Sequence, residues 1–333
     1  MISSVAERIN YLLKKADFNT FILNDFSTKP TKFCFDLLAR KGNLIIIIKV
    51  LQNIDNLNQD IINDIKSLSK ILKSMPILIG IRNRYQKLED HTIYMRESLP
   101  FIAIKTLENV LIKEEYPYIL SKRGGGVIYI DGNLMKELRE SKLISRKEMA
   151  DKLDVAKRSV CAYENENMRA SEKIAKKIKG ILESSEIFRR INIFNSFKFD
   201  LDSEIIQSTA ELPPFESHVQ EILKDIGIST YWYKKGPIPF KLSLLSKLPN
   251  IQGQNSPYPL FSGVLEDQKN MNEFAFLSLE MFKELFNQNA LFIVSNNVKI
   301  SETSKASNIP IVSIKKLDKV DDEEEFIELI QRS

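Results

Sequence analysis

Lys157 and Arg158 stand at the head of a segment, Ala156 to Asn165, whose apolar members Val160 and Tyr163 lie three apart and so share one face of a helix. Burying that face turns Lys157, Arg158, Ser159 and Ala162 outward. Just upstream, Ser145 followed by Glu148 is a capping box that opens a helix over Arg146 to Leu153. Asp154 then takes the left-handed turn between the two helices, a conformation that Asp tolerates better than most side chains. Two short helices joined by a tight turn, the second presenting cations, suit one specific chemistry: reading duplex DNA in its major groove, where Arg and Lys bond guanine O6 and N7. Leu134, Leu138 and Leu143 give a preceding helix the apolar face that must hold this pair.

The stretch Asp131 to Glu183 resembles the Cro/cI-type (XRE) phage-repressor family. Ala150 is small where two helices cross, Val155 follows the turn, and Arg139 and Glu164 fall where the family carries a buried ion pair between its first and third helices. The resemblance implies that Arg146 at the start of the second helix, with Lys147 beside it, grips a phosphate. It also implies that Lys157 and Arg158 read base edges, with Ser159 nearer the backbone. Ala162 stands where a longer polar reader is common and suits a thymine methyl, while Asn165 and Arg169 suit phosphates. The lysines further on, Lys173, Lys176, Lys177 and Lys179, read as a solvated face.

The first third of the chain runs helix, three strands, helix, strand, strand. Val5, Ile9, Leu12 and Leu13 mark the first helix. Thr20 to Leu23, Lys32 to Leu38 and Asn43 to Val50 are strands, the last two joined by a turn in which Gly42 is free to take positive φ. A helix over Leu57 to Leu72 stops at Pro76, Ile77 to Ile81 and Phe101 to Ile104 are strands, and a short helix follows around Leu107 to Ile112. This order resembles the core of the PD-(D/E)xK nucleases, in which an Asp ending the second strand and an acid-x-Lys on the third hold Mg²⁺ and polarise water. Asp36 and Lys49 match the first and last of these positions; Ile47 stands where the second acid belongs. An isoleucine ligates no metal, and a displaced carboxylate would have to come from Glu7 or Asp55. The favoured expectation is therefore a degenerate nuclease scaffold, with Asp36 a strand-end charge and Lys49 a lysine whose head reaches solvent.

Beyond the glycine run Gly124 to Gly126, flanked by Lys122 and Arg123, and past the central stretch, the same order returns. A helix at Phe215 to Ile226 precedes strands at Ser229 to Tyr233, Phe240 to Leu245 and Pro259 to Leu265. A helix at Phe274 to Phe286 and strands at Ala290 to Ser295 and Ile309 to Ile314 complete it. An internal duplication around one DNA module is expected. The motif IYIDGNLMKELRE at the entry to the module and GPIPF in the last third resemble an archaeal family of Cro/cI-type transcriptional regulators.

The expected fold class is α/β plus all-α: a central five-helix-type Cro/cI module at 123–188 between two restriction-endonuclease-like α/β sandwiches at 1–122 and 189–333. A chain of 333 residues suits several domains, and a formal charge of +4 permits a nucleic-acid partner without demanding one. Cys34 and Cys161 are far apart in sequence and fall in different expected domains, which argues against a disulfide framework or a cysteine-based zinc site. No cofactor or metal motif occurs, and no apolar run is long enough to span a bilayer. The function expected is that of a cytoplasmic, nucleoid-associated homodimer on a palindromic operator in double-stranded DNA, not an enzyme. The alternatives are a structure-specific Mg²⁺-dependent nuclease or a catalytically dead junction-binding protein. No motif names a small-molecule or protein effector.

Overall fold

The computed structural model describes residues 2–23, 33–122, 125–195, 212–233, 240–246, 260–267, 273–298 and 308–332. Arg123, Gly124 and the GPIP of the last-third motif lie outside them. Contacts divide the chain into two units, one made of Met1–Val50, Leu57–Pro76 and Asp200–Ser333, the other of Leu51–Asn56 and Ile77–Phe199.

The first unit draws on both ends of the sequence. Helix α1 (Ile2–Lys15) precedes strands β1 (Asn19–Ile22), β2 (Leu37–Lys41) and β3 (Leu44–Asn53), and helix α2 (Gln59–Ile71) follows. β1 pairs antiparallel with β2, and β2 with β3. The β2–β3 turn uses Gly42 at φ 58°, as its place in the sequence requires. β2 begins at Leu37 rather than Lys32. α2 ends well before Pro76: Lys73 turns left-handed at φ 49°, and Pro76 sits inside the next strand.

The C-terminal part of this unit carries α8 (Pro214–Asp225), β10 (Ser229–Trp232), β11 (Leu242–Leu245), β12 (Leu260–Leu265) and α9 (Glu273–Phe286). β13 (Asn289–Val294), β14 (Ile311–Ser313), α10 (Ile314–Leu317) and α11 (Glu323–Gln331) complete it. Its sheet runs β10-β11-β12-β13-β14, with the first two pairings antiparallel and the last two parallel. The helix–strand–strand–strand–helix order of α1 to α2 thus recurs from α8 to α9 with the same antiparallel pairings. The two parts share one aromatic core. The ring of Phe33 lies 5.7 Å from that of Phe240, and Phe282 lies 6.3 Å from Phe21 and 4.9 Å from Phe261. The Tyr231 hydroxyl donates to Asp64 Oδ1 at 2.7 Å, both residues buried. Burial pushes that phenol's pKa up, and the Asp64 charge adds to the effect. Burying so many rings is the main source of cohesion here, with each large aromatic worth several kcal/mol, roughly 3–5 if truncated.

The second unit holds β4 (Met75–Arg82), β5 (Thr92–Arg96), β6 (Leu99–Ile102), α3 (Ile104–Lys113), β7 (Ile119–Lys122) and β8 (Gly125–Ile128). The helices α4 (Gly132–Ser141), α5 (Arg146–Leu153), α6 (Lys157–Glu164) and α7 (Glu172–Leu182) follow, with a short strand β9 (Ala170–Ser171) between the last two. Its strands run β4-β6-β5-β7-β8-β9. Because β8 pairs with β9, the stretch expected to be purely helical carries a strand pairing as well. β5, β7 and β9 have no counterpart among the strands expected from sequence. The protein is mixed α/β with large sheets.

Candidate nucleic-acid interface

Helices α4 and α5 begin at residues whose side chains satisfy the free amides of the first turn. Asp131 caps α4 by accepting from the Leu134 amide at 3.0 Å. At α5 the Ser145 hydroxyl accepts from the Glu148 amide (3.1 Å) while the Glu148 carboxylate accepts from the Ser145 amide (2.7 Å), a complete capping box. That second bond holds the Glu148 carboxyl below its usual pKa. α5 stops at Asp154, left-handed at φ 59°, and the Val155 amide reaches back to the Ala150 carbonyl at 3.0 Å. α6 starts immediately, so the turn between them is short and fixed.

Met135, Met149, Ala150, Leu153, Val160 and Tyr163 are buried in the core of this bundle, with Ala175, Ile178 and Leu182 from α7. Gly132 lets α4 start against the end of α6: a Cβ there would sit 2.1 Å from the Glu164 carbonyl oxygen. Leu143 takes no part in the apolar face assigned to it. It lies past the end of α4 at φ 57° and is 91% exposed, and Met135 and Arg139 fill the inward positions instead.

With Val160 and Tyr163 inward, Lys157 and Arg158 are exposed, Ser159 and Ala162 half-buried. Lys147 is exposed on the first turn of α5 and Arg146 is half-buried beside it. Past α6, Asn165 and Arg169 are exposed; the Asn165 side-chain Nδ2 donates to Cys161 Sγ at 3.4 Å, and the Arg169 guanidinium lies 4.6 Å from the Tyr129 ring centroid. Tyr129 was not singled out by sequence, nor was Arg190, which stacks on Tyr118 at 4.9 Å, or Arg189, which bonds Glu166. Their spacing alone carries no periodic signal.

Glu164 is the electrostatic centre of the bundle. Its side chain is 1% exposed; Oε1 accepts from Arg139 Nε at 2.6 Å and Oε2 from Arg146 Nε at 2.7 Å. Desolvation pushes this carboxyl up, but the bonds and charges of the two arginines outweigh it and hold the pKa below the usual carboxylate value. The same bonds raise both guanidinium groups. The Arg139–Glu164 pairing follows the sequence reading; Arg146 as a second partner of Glu164 does not.

Asp36, Ile47 and Lys49 lie in the first unit. Lys49 does not reach solvent: its side chain is 6% exposed and Nζ donates to Asp36 Oδ1 at 2.8 Å, while the Val50 amide donates to Asp36 Oδ2 at 2.7 Å. β3 is buried on both faces, so its lysine has no exposed side to turn to and is neutralised in place. Ile47 is buried and adds no donor. Asp55 bonds Arg96 at 2.8 Å in the second unit, and Glu7 is exposed on α1. Among the described residues no three His, Cys, Asp or Glu side chains converge on a metal position, and Asp36 is turned to Lys49 and the Val50 amide. Among the described residues no helix is long and apolar enough to cross a membrane.

Residues 3–117 match the PD-(D/E)XK superfamily domain. This overturns the expectation that the chain is not an enzyme, because that superfamily points to nuclease-type enzymes. A protein of Archaeoglobus fulgidus, provisionally named an HTH-type transcriptional regulatory protein, is 33% identical over 237 residues, covering 71% of this chain and 73% of that one. One of Methanococcoides burtonii with the same provisional name is 36% identical over 229 residues, 68% and 69% of the two chains. Another, of Methanobrevibacter smithii, is 28% identical over 333 residues, 99% and 97%. No solved structure matches the chain.

Proposed function

The chain belongs to the family of archaeal proteins named as HTH-type transcriptional regulatory proteins, and from that premise we propose that it is a sequence-specific, double-stranded DNA-binding transcriptional regulator whose reading element is a Cro/cI-type (XRE) helix-turn-helix. The observation that carries this reading is the α5–α6 pair. A left-handed Asp154 sets the angle between them, and α6 buries Val160 and Tyr163 while Lys157 and Arg158 face outward. In the reading proposed, Lys157 and Arg158 reach guanine edges in the major groove, with Ala162 beside them on the base-facing side and Ser159 nearer the backbone. Arg146, Lys147, Asn165 and Arg169 grip the backbone.

We assign 1–122 to a nuclease-like domain, 123–188 to the DNA module and 189–333 to a duplicate of the first. Support for the duplication comes from the repeated pairings of β1-β2-β3 and β10-β11-β12. A single recognition helix reads few bases, which favours a homodimer on a palindromic operator with half-sites about 34 Å apart, in the cytoplasm at the nucleoid. Selecting a preferred duplex from a random pool and titrating the chain against it and a scrambled version tests the assignment. Lys157→Ala with Arg158→Ala should lose the preference, at roughly 1–3 kcal/mol per base contact; unchanged preference removes these residues as readers.

A second reading, a DNA nuclease, is favoured by the superfamily match and by Asp36 and Lys49 lying 2.8 Å apart within the matched region. It predicts duplex or branched-DNA cleavage with Mg²⁺ or Mn²⁺ that Asp36→Asn abolishes. No cleavage by the unaltered chain removes it.

A further inference from the structure

One carboxylate, Glu164, serves two arginines in unlike surroundings. Arg139 is 6% exposed and fully engaged: Nε bonds Glu164, Nη1 donates to the Ile144 carbonyl at 2.8 Å, and Nη2 meets Glu140 Oε1 at 3.1 Å. Arg146 is 37% exposed, and among the described residues it is held at Nε alone. The first arginine is structural. The second is anchored at one edge with its other guanidinium nitrogens toward solvent.

We propose that Glu164 is a positioning residue for binding the DNA backbone: by holding the Nε edge of Arg146 it aims the remaining guanidinium nitrogens at a phosphate, so that the end of α6 sets the phosphate register of the start of α5. This deepens the DNA-binding reading above and rests on it. Three features point to a phosphate. Of the two guanidinium groups around Glu164, that of Arg139 is paired with Glu140 as well, so the one with nitrogens left for an anion is that of the exposed Arg146. Arg146 is the first residue of α5, where unpaired amides and the helix dipole favour an anion. A guanidinium already held along one edge also loses little freedom when its end closes on two phosphate oxygens, the bidentate geometry that arginine suits and lysine does not. Because Glu164 sits at the last turn of α6, a phosphate docked on Arg146 fixes the recognition helix through a rigid bond rather than through the turn alone.

The test uses the full chain and a mixed-sequence DNA duplex, with affinity measured across a salt series and melting temperature recorded for each variant. Arg146→Met should make the slope of log K against log salt shallower by about 0.9, one phosphate's worth of released counterion. Glu164→Asp keeps the charge but shortens the reach, and should lose the same amount; the double variant should lose it once, not twice. A wild-type slope in folded Glu164→Asp, or losses that add in the double variant, overturns the proposal. Arg146→Lys leaves the buried Arg139–Glu164 pair untouched and keeps the charge, so it guards against a Glu164 variant that fails to fold. It should bind more weakly at every salt concentration with an unchanged melting temperature, because the lysine lacks the held, bidentate contact, and wild-type affinity there also overturns the proposal. If the unaltered chain shows no salt-dependent binding at all, the DNA-binding reading falls and this inference with it.

Discussion

At Asp36 and at Lys241 the chain repeats one backbone arrangement and fills it with opposite charges. The Asp36 amide donates to the Ile48 carbonyl at 2.8 Å and its carbonyl accepts from Leu23 at 2.9 Å; the Lys241 amide donates to Ser262 and its carbonyl accepts from Tyr233, both at 2.9 Å. That register sets Asp36 against Lys241, Ile47 against Phe261 and Lys49 against Gly263. In the first part a buried Asp–Lys pair closes on itself between β2 and β3. In the second, Lys241 turns to Glu216 on α8, and the place of Lys49 is held by a glycine whose added Cβ would meet the Phe292 ring at 2.0 Å. The backbone tolerates either sign of charge at this point provided a counter-charge lies within reach. The space beside it is more demanding, since a ring packed on Gly263 leaves no room for any side chain.

The comparison can be broken most forcefully at the core the two parts share. Phe282 packs against rings from both, and Phe282→Ala should cost roughly 3–5 kcal/mol in urea unfolding. Next, Lys49→Met strands the Asp36 charge in a buried site and should cost about 3–5 kcal/mol, whereas Asp36→Leu with Lys49→Met should recover most of that loss. Lys241→Met, at a side chain 35% exposed, should cost under about 1 kcal/mol. Equal losses at Lys49 and Lys241 would show that the two ion pairs are buried alike after all. Tyr231→Phe removes the donor to buried Asp64 and should cost about 1–3 kcal/mol by the same measurement.

The pair in the second unit sharpens the contrast through pH. Glu164 has a pKa lowered in the folded chain, so its contribution is fully present above the unfolded carboxylate value of 4.5 and is lost as pH falls through the folded value. Melting curves recorded down an acid series should therefore fall less steeply in a folded Glu164→Gln variant than in the unaltered chain. Parallel curves would show that Glu164 is not a source of the acid sensitivity.

Where a signal was local, the sequence carried it. The capping box at Ser145, the positive φ of Gly42, and the helix-strand-strand-strand-helix order that opens each α/β part could be read from residue types a few positions apart. Signals that depend on distant partners were lost. β9 is two residues long and exists because β8 lies beside it. Lys49 reads as a solvent-seeking lysine because the run Ile45 to Ile48 hides which faces of β3 are covered, and only the packed sheet reveals that both are. The Arg146–Glu164 bond was missed for the same reason: the partners lie eighteen residues apart and meet only once α5 and α6 are set against each other. Leu143 shows the converse error, an apolar residue counted into a helix that had already ended.

The shared aromatic core also imposes an order on synthesis. The rings of Phe21, Phe33 and Phe35 are completed by Phe240, Phe261 and Phe282, so α1 to β3 leave the ribosome with their apolar face uncovered while the whole second unit is made. At about 5–20 residues per second that interval lasts at least ten seconds or so. The central unit, almost continuous in sequence, can meanwhile close on itself. The N-terminal apolar face is therefore the last part of the chain to be covered by its own partners.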